Sequence, residues 1–301
     1  MTLTFRYLVL FAFCLTAPVR NHAQGLPQPF VDSTVFISYK VNANQGSTGS
    51  GFVLLHQVNE KIRKLYLVTN RHVLPDENGP KEITIRVNVK QEGTDRPGVQ
   101  EVDIPVRGDD HKLLSTVRVH ATLSVDVAIV DITKEANEKR IVFPHDVLGD
   151  DWLITKEELK SSEITLGYEI YLLGYPASMY DPQNTSPLLR VGVIASDPVT
   201  GYSFNGTLQA PPYNLPAHVD GFLIDANVFP GSSGSMVVLR PGPVYKNGTL
   251  TLGGATSQPR ILGIVADSIP IIDVALRSVT RMGLGVAFSA QCIRDTIALF
   301  P

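Results

Sequence analysis

The sequence predicts an all-β protein: two β-barrels followed by a short C-terminal helix. Three observations carry this reading. About a dozen short segments rich in Val, Ile, Leu, Phe and Tyr recur along the chain, each bounded by Gly, Pro, Asn or Asp. They do not alternate regularly with helical stretches, which argues against a doubly wound sheet. A charged stretch, His145–Glu163, splits them into two groups of similar size. The 301 residues are 44% hydrophobic and 18% charged, enough apolar material for a core and too little charge for a disordered chain.

The elements follow in chain order. Arg6 precedes an apolar run, Tyr7–Leu15, and polar or small residues follow in Arg20–Gln24. This is the layout of a signal peptide over residues 1–23, with cleavage expected after Ala23. The run is too short for a membrane span of ~20 residues, and no later segment supplies one. An exported protein, periplasmic or secreted, is therefore expected. Cys14 would leave with the leader. Cys292 then remains alone, which suits a bacterial exported domain large enough to fold without a disulfide.

Strands are expected at Thr34–Val41, Gly51–Leu55, Lys64–Thr69, Glu82–Val89, Val117–Thr122 and Val125–Ile132. These fall in an N-terminal barrel over 24–150, followed by a linker over 151–165 with a brief helix at Thr155–Leu159. Further strands are expected at Glu169–Leu173, Val191–Ser196, Gly221–Ile224, Met236–Leu239, Ile261–Val265 and Gly285–Phe288, with a final helix at Ala290–Leu299. They make a C-terminal barrel over 166–301. With 26 Lys and Arg against 29 Asp and Glu, the net charge of −3 gives a nucleic-acid partner no electrostatic support.

The chemistry centres on Phe229-Pro230-Gly231-Ser232-Ser233-Gly234-Ser235, enclosed by the apolar runs Phe222–Ile224 and Met236–Leu239. A nucleophilic serine needs a tight turn that exposes its oxygen and aims backbone N–H groups at a developing oxyanion. Flanking glycines permit those backbone angles. A base is needed next, and the chain has seven histidines. His72 ends the apolar run Tyr66–Thr69, at a junction of strand and loop where side chains converge on clefts. The orienting carboxylate comes from Ser124–Ile132, which holds both Asp126 and Asp131. Their odd offset puts one toward the domain interior and the other toward solvent.

Chain order then separates the hydrolase classes. No histidine follows Ser233, which excludes a Ser-Asp-His order with this nucleophile. An Asp-His-Ser order would need Asp32 and an alternating α/β pattern that is absent. His72, Asp126 and Ser233 have the remaining order, that of the two-barrel chymotrypsin architecture. No His-Glu-x-x-His motif and no phosphate-binding glycine loop occurs, so neither a metal nor another cofactor is expected.

The chain resembles the trypsin-like serine peptidases, and among them the HtrA/DegP-type bacterial branch. The matching segments are Gly49–Val53, Val68–Val73 with His72, Asp126–Ile129, Gly167–Pro176, Arg190–Ser196, Asp225–Ser235 with Ser233, Ile261–Ile264 and Gly283–Phe288. Together they span about residues 33–295. The resemblance implies two six-stranded antiparallel barrels with a cleft between them. It implies Ser233 as nucleophile, His72 as general base and Asp126 as the group that holds the imidazole. The N–H groups of Gly231 and Ser233 would form the oxyanion hole. It also implies a polypeptide partner, paired as an added strand along Ile264, Val265 and Ala266, with Asn227 at the base of the primary pocket. A silent protease fold that only binds peptides is the alternative.

The departures are informative. Ser235 stands where the family usually has Gly, and Phe229 where it commonly has Asn. Ser232 replaces the aspartate that digestive trypsins pair with a liberated N-terminus, so no obligatory propeptide cleavage is expected. The chain stops just after its final helix, so PDZ-regulated behaviour is not carried over. With Asn227 rather than a carboxylate, the pocket is expected to take a small or medium uncharged side chain.

Overall fold

Alternation of apolar and polar residues builds the first sheet. The computed structural model describes residues 25–301 except 44, 95, 162–163, 212, 214, 243, 247–248, 252–257 and 274–277. The expected leader and Cys14 lie outside these residues. Seven strands form an antiparallel sheet: β1 (Thr34–Asn42), β2 (Gln45–Gln57), β3 (Arg63–Thr69), β4 (Glu82–Val89), β5 (Gly98–Pro105), β6 (Val117–Val119) and β7 (Ala128–Asp131), in the order β5-β4-β1-β2-β3-β7-β6. In β4 the inward positions Ile83, Ile85 and Val87 are fully buried, and the Ile37–Ile85 pair aligns β1 with it.

The six strands expected here become seven because Gly98–Pro105 pairs along β4 from Glu82–Pro105 to Val89–Gly98. Its outward charges, Glu101 and Asp103, mark a solvent-facing edge. Among the described residues no ladder joins the edges β5 and β6. The connection between them closes the gap through the Arg107–Leu113 bridge and the Leu114 N–H bond to Val106 O, 3.0 Å.

The second unit is a closed six-stranded barrel, as expected. Its strands are β8 (Glu169–Gly174), β9 (Leu188–Ile194), β12 (Gly221–Asp225), β13 (Met236–Leu239), β16 (Ile261–Asp273) and β17 (Ser278–Ser289), ordered β12-β17-β16-β13-β8-β9. The Ile224–Ile194 pairing closes the ring. Two small hairpins decorate it, β10 (Tyr202–Ser203) with β11 (His218–Val219) and β14 (Val244–Lys246) with β15 (Thr249–Thr251).

Short helices tie the units together: α1 (Gln28–Ser33), α2 (Thr133–Glu138), α3 (Lys156–Ser161), α4 (Gly206–Gln209) and α5 (Ala290–Ile297). Parallel bridges tack the connecting segment first to β2 (Leu55–Gly149) and then to β16 (Leu153–Ile261). Beyond α5, Phe300 stacks on Tyr66 of the first sheet at 4.7 Å. None of the helices among the described residues is long and apolar enough to cross a membrane. Cys292 is a buried free thiol on α5, its pKa pushed up to about 11 by burial.

The core explains where a cleft can form. Val53 and Leu67 pack inside the first sheet, whereas Phe52, Leu54, Tyr66 and Val68 on the opposite face join the core of the barrel. Strands β2 and β3 are thus buried on both faces, which accounts for their near-continuous apolar runs. The ends of these two strands meet the barrel at the site described next.

Candidate active site

His72 is lifted out of the first sheet by a local stop. Thr69 and Asn70 at the end of β3 are fully buried, and one turn of 3-10 helix, Arg71–Val73, turns the imidazole outward. The pairing of Thr69 with Ala128 brings the residues just before β7 alongside this turn. Asp126 therefore meets His72 twice. Its Oδ1 accepts the His72 backbone N–H at 3.0 Å, and its Oδ2 is hydrogen-bonded to Nδ1 of the ring. The Asn70 side chain donates to the Asp126 carbonyl at 2.6 Å and fixes the loop.

The part of the His72 ring that is shielded from water disfavours its charge. The hydrogen bond and charge of Asp126, with a further contribution from Asp267, outweigh that and raise its pKa above the ordinary 6.5. Asp131, the other carboxylate of that segment, lies at the far end of β7, accepts from Thr133 and pairs with Lys64 at 3.3 Å. The geometry thus separates the two aspartates, and Asp126 is the one at the imidazole. His56 and His145 pair with Asp150 and Asp32 at 2.6 Å each, away from this turn.

Ser233 sits on the connection from β12 to β13, clamped between the two units. Its carbonyl accepts the Ser50 N–H of β2 at 2.8 Å, while the next residue, Gly234, donates to Val265 O of β16 at 2.9 Å. Its hydroxyl donates to Ala266 O at 2.9 Å, not to His72. Gly231 has φ +84°, and a Cβ there would approach Tyr175 O to 2.6 Å, so both conformation and space require glycine.

The peptide before Gly231 is oriented from outside the loop. Pro230 O accepts the Ala177 N–H at 2.6 Å, and Gly231 O accepts the Ser50 hydroxyl at 2.7 Å. In a planar trans peptide the N–H points opposite to the C=O. Drawing the Pro230 carbonyl toward Ala177 therefore turns the Gly231 N–H to the other side. Among the described residues, neither the Gly231 nor the Ser233 N–H has an acceptor. The supporting loop is itself strained, with Ala177 at φ +52° and Ser178 at +58°. It is anchored by buried Tyr175, whose N–H donates to Ser50 Oγ (2.9 Å) and whose hydroxyl donates toward Thr185 O (2.8 Å) and Thr34 O (3.1 Å).

Of the residues expected to pair with substrate, Ile264 and Val265 have committed backbones. Ile264 pairs with Met236 and Phe288, and Val265 exchanges bonds with Ser235 and Gly234. The main chain without a strand partner instead begins at Ala266, at the bulge between Val265 and Asp267, where its carbonyl accepts the Ser233 hydroxyl. Asn227 is exposed, six residues before Ser233. Ser235 is fully buried against Gly174, where any Cβ would meet its Oγ at 1.8 Å, so this departure from the family pattern is accommodated by the glycine facing it.

Three contributors escaped the sequence reading: Ser50 as a double hydrogen-bonding hub, Ala177 as the donor to Pro230, and Arg190 beneath Asn227. Ser50 and Arg190 carried a signal, since each is a polar residue inside an apolar strand, where an unpaired polar group is costly. Ala177 carried none.

A family model described as a trypsin-like peptidase domain matches residues 49–245. No curated protein matches the sequence. Among solved structures, the Rv3671c protease from M. tuberculosis in its active form is 17% identical over 90% of this chain and 82% of that one, at TM-score 0.44. Deg5 is 16% identical over 90% of each chain, at TM-score 0.46. A serine endoprotease from Yersinia pestis is 16% identical over 90% of this chain and 64% of that one, at TM-score 0.43.

Proposed function

Given that this chain belongs to the trypsin-like peptidase family and is a serine endopeptidase, we propose that it cleaves polypeptides through His72, Asp126 and Ser233 by way of an acyl-enzyme. The support for this reading is an Asp126-bound imidazole three residues beyond Thr69, beside a serine turn in which a Cβ on Gly234 would lie 2.9 Å from Thr69 Oγ1 and the N–H groups of Gly231 and Ser233 have no acceptor among the described residues.

The steps follow from these groups. Ser233 Oγ turns from Ala266 O toward His72 and attacks the scissile carbonyl. As the O–C bond forms, the hydroxyl proton passes to His72 Nε2. The carbonyl oxygen takes up negative charge and is received by the N–H groups of Gly231 and Ser233. The C–N bond then breaks, and the imidazolium returns its proton to the departing amine. Water repeats the sequence on the acyl ester, with His72 again taking and returning one proton. Asp126 holds the imidazole in the tautomer that leaves Nε2 free and stabilises the imidazolium.

Export is part of the same reading. Its support is the leader over residues 1–23 and a remaining chain with Cys292 as its single cysteine. Recovery of the protein from the periplasm or medium with Gln24 at its N-terminus checks it, and retention of the leader on a cytoplasmic protein overturns it.

The experiment for the mechanism is labelling with a fluorophosphonate probe beside Ser233→Ala and His72→Ala. Labelling of the wild type at Ser233, lost in both variants, is the expected result. Folded wild type that stays unlabelled with an accessible cleft contradicts the assignment.

A further inference from the structure

Arg190 is the single charged residue in β9, whose sequence is otherwise Leu188-Leu189 and Val191-Gly192-Val193-Ile194. Its strand lies very close to the segment leading to Ser233. A Cβ on Gly192 would come within 2.8 Å of both Ala226 Cβ and Asp225 O. Arg190, two residues earlier on the same face of β9, therefore runs beneath that segment. Its Nη1 donates to the Asn227 carbonyl, and its Nη2 donates to Ser232 Oγ at 3.1 Å.

Both acceptors are neutral. Among the described residues no carboxylate lies within ion-pair distance of this guanidinium, and Asp225 makes no pair with it. Nε is buried without an acceptor. The cation thus has donors to spare and a charge that its own protein leaves uncompensated. Burial alone lowers its pKa from the ordinary value, with no acidic neighbour offsetting the loss of solvent. A half-buried charge in this condition carries part of the desolvation cost, and a partner carboxylate relieves it.

The space above it is open. Asn227 is exposed and its carboxamide makes no hydrogen bond among the described residues. On the facing strand, a Cβ at Gly283 would meet nothing nearer than Asn227 Oδ1, at 3.8 Å. Asn227 thus forms the floor of an opening between its own loop and β17, and the guanidinium lies directly under that floor.

We infer that this opening takes an acidic side chain: the residue whose carbonyl is cleaved is Glu or Asp, its carboxylate received by the Asn227 amide and balanced by Arg190. The inference rests on the peptidase reading above and names its substrate class. It replaces the uncharged preference expected from Asn227 alone, because the deciding charge comes from another strand. The selectivity is local, since the chain as a whole is slightly acidic and does not draw anions from a distance.

The test uses fluorogenic peptide amides that differ only in Glu, Gln, Leu or Lys at the cleaved residue. Wild type should show kcat/KM for Glu about 5- to 15-fold above Gln, the range of a charge-assisted bond over a neutral one, with Lys lowest. Arg190→Met should bring the Glu-to-Gln ratio close to one, and Arg190→Lys should keep part of it. An arginine that merely braces the loop lowers turnover of both substrates together and leaves their ratio unchanged. Cleavage by wild type with Glu and Gln equal overturns the inference and leaves the peptidase reading standing. Ser233→Ala reads the pocket without the chemistry: it should bind the Glu peptide about tenfold more tightly than its Gln twin. Equal binding overturns the inference even for a protein that cleaves nothing.

Discussion

The two halves of the site are built to opposite rules. The half proposed for acid–base work, on the first sheet, exposes its imidazole and holds it through one carboxylate, Asp126. The half proposed to hold the nucleophile is walled in. Ser232, Gly234 and Ser235 are buried, and the loop is bonded to β2, to β16 and to the strained turn at Ala177. A group that must pass a proton between serine, amine and water needs reach and one firm electrostatic tether. Donors that must meet a charge at a single point need a frame that does not give. The first half is tuned by charge, the second by shape.

Substitutions separate these rules. Asp126→Asn attacks the charge and should have the largest effect, lowering kcat by about 10⁴-fold by favouring the wrong imidazole tautomer. It should also move the acid limb of the pH–rate profile. The base works only when neutral, so a raised His72 pKa places that limb above the ordinary 6.5; removing the carboxylate shifts it to lower pH. The same shift links to stability. Protonated His72 contributes fully below 6.5, and the contribution is lost as pH rises through the raised folded value. A limb that stays in place in Asp126→Asn would mean another group sets it.

Gly231→Ala attacks the shape. A Cβ at φ +84° and 2.6 Å from Tyr175 O must displace the loop, which should cost about 10²–10³ in kcat with the acid limb unmoved. A shifted limb would break the distinction between the halves. Ser50→Ala is the mildest. It leaves the Gly231 carbonyl and the Tyr175 N–H without their partner and should cost about 1–3 kcal/mol of stability, measured by denaturant unfolding. An unchanged unfolding midpoint would show that the hub is dispensable.

Much of this was legible in the sequence, and what was not has identifiable causes. Glu82–Val89 and Met236–Leu239 were bounded correctly because strong apolar content ends at turn residues on both sides. β2 runs over Gln45–Gln57 rather than Gly51–Leu55, since its glycine- and serine-rich first half is extended by pairing with β1, from Gly46–Lys40 to Phe52–Thr34, rather than by its own apolar content. β5 was missed because its outward positions are charged, and α1 because six residues with no side-chain cap carry little local signal. For the site, chain order and strand ends pointed to His72 and Ser233, and the family resemblance pointed to Asp126 rather than Asp131; the pairing of β7 with β3 supplies the physical reason that Asp126 lies at His72. Arg190 lay beyond reach for a related reason. Its charge was visible, but what it lies under depends on the close approach of β9 to Ala226.

The double burial of β2 and β3 has a consequence for how the molecule comes apart. Phe52, Leu54, Tyr66 and Val68 belong to the barrel's core rather than to that of their own sheet. Unfolding either unit strips this face of its cover and exposes large apolar side chains to water, so neither half has a stable existence without the other. The protein should therefore melt as one cooperative block, and agreement of the calorimetric with the van't Hoff enthalpy would check this. The cleft cannot be widened by letting one barrel loosen while the other stays intact.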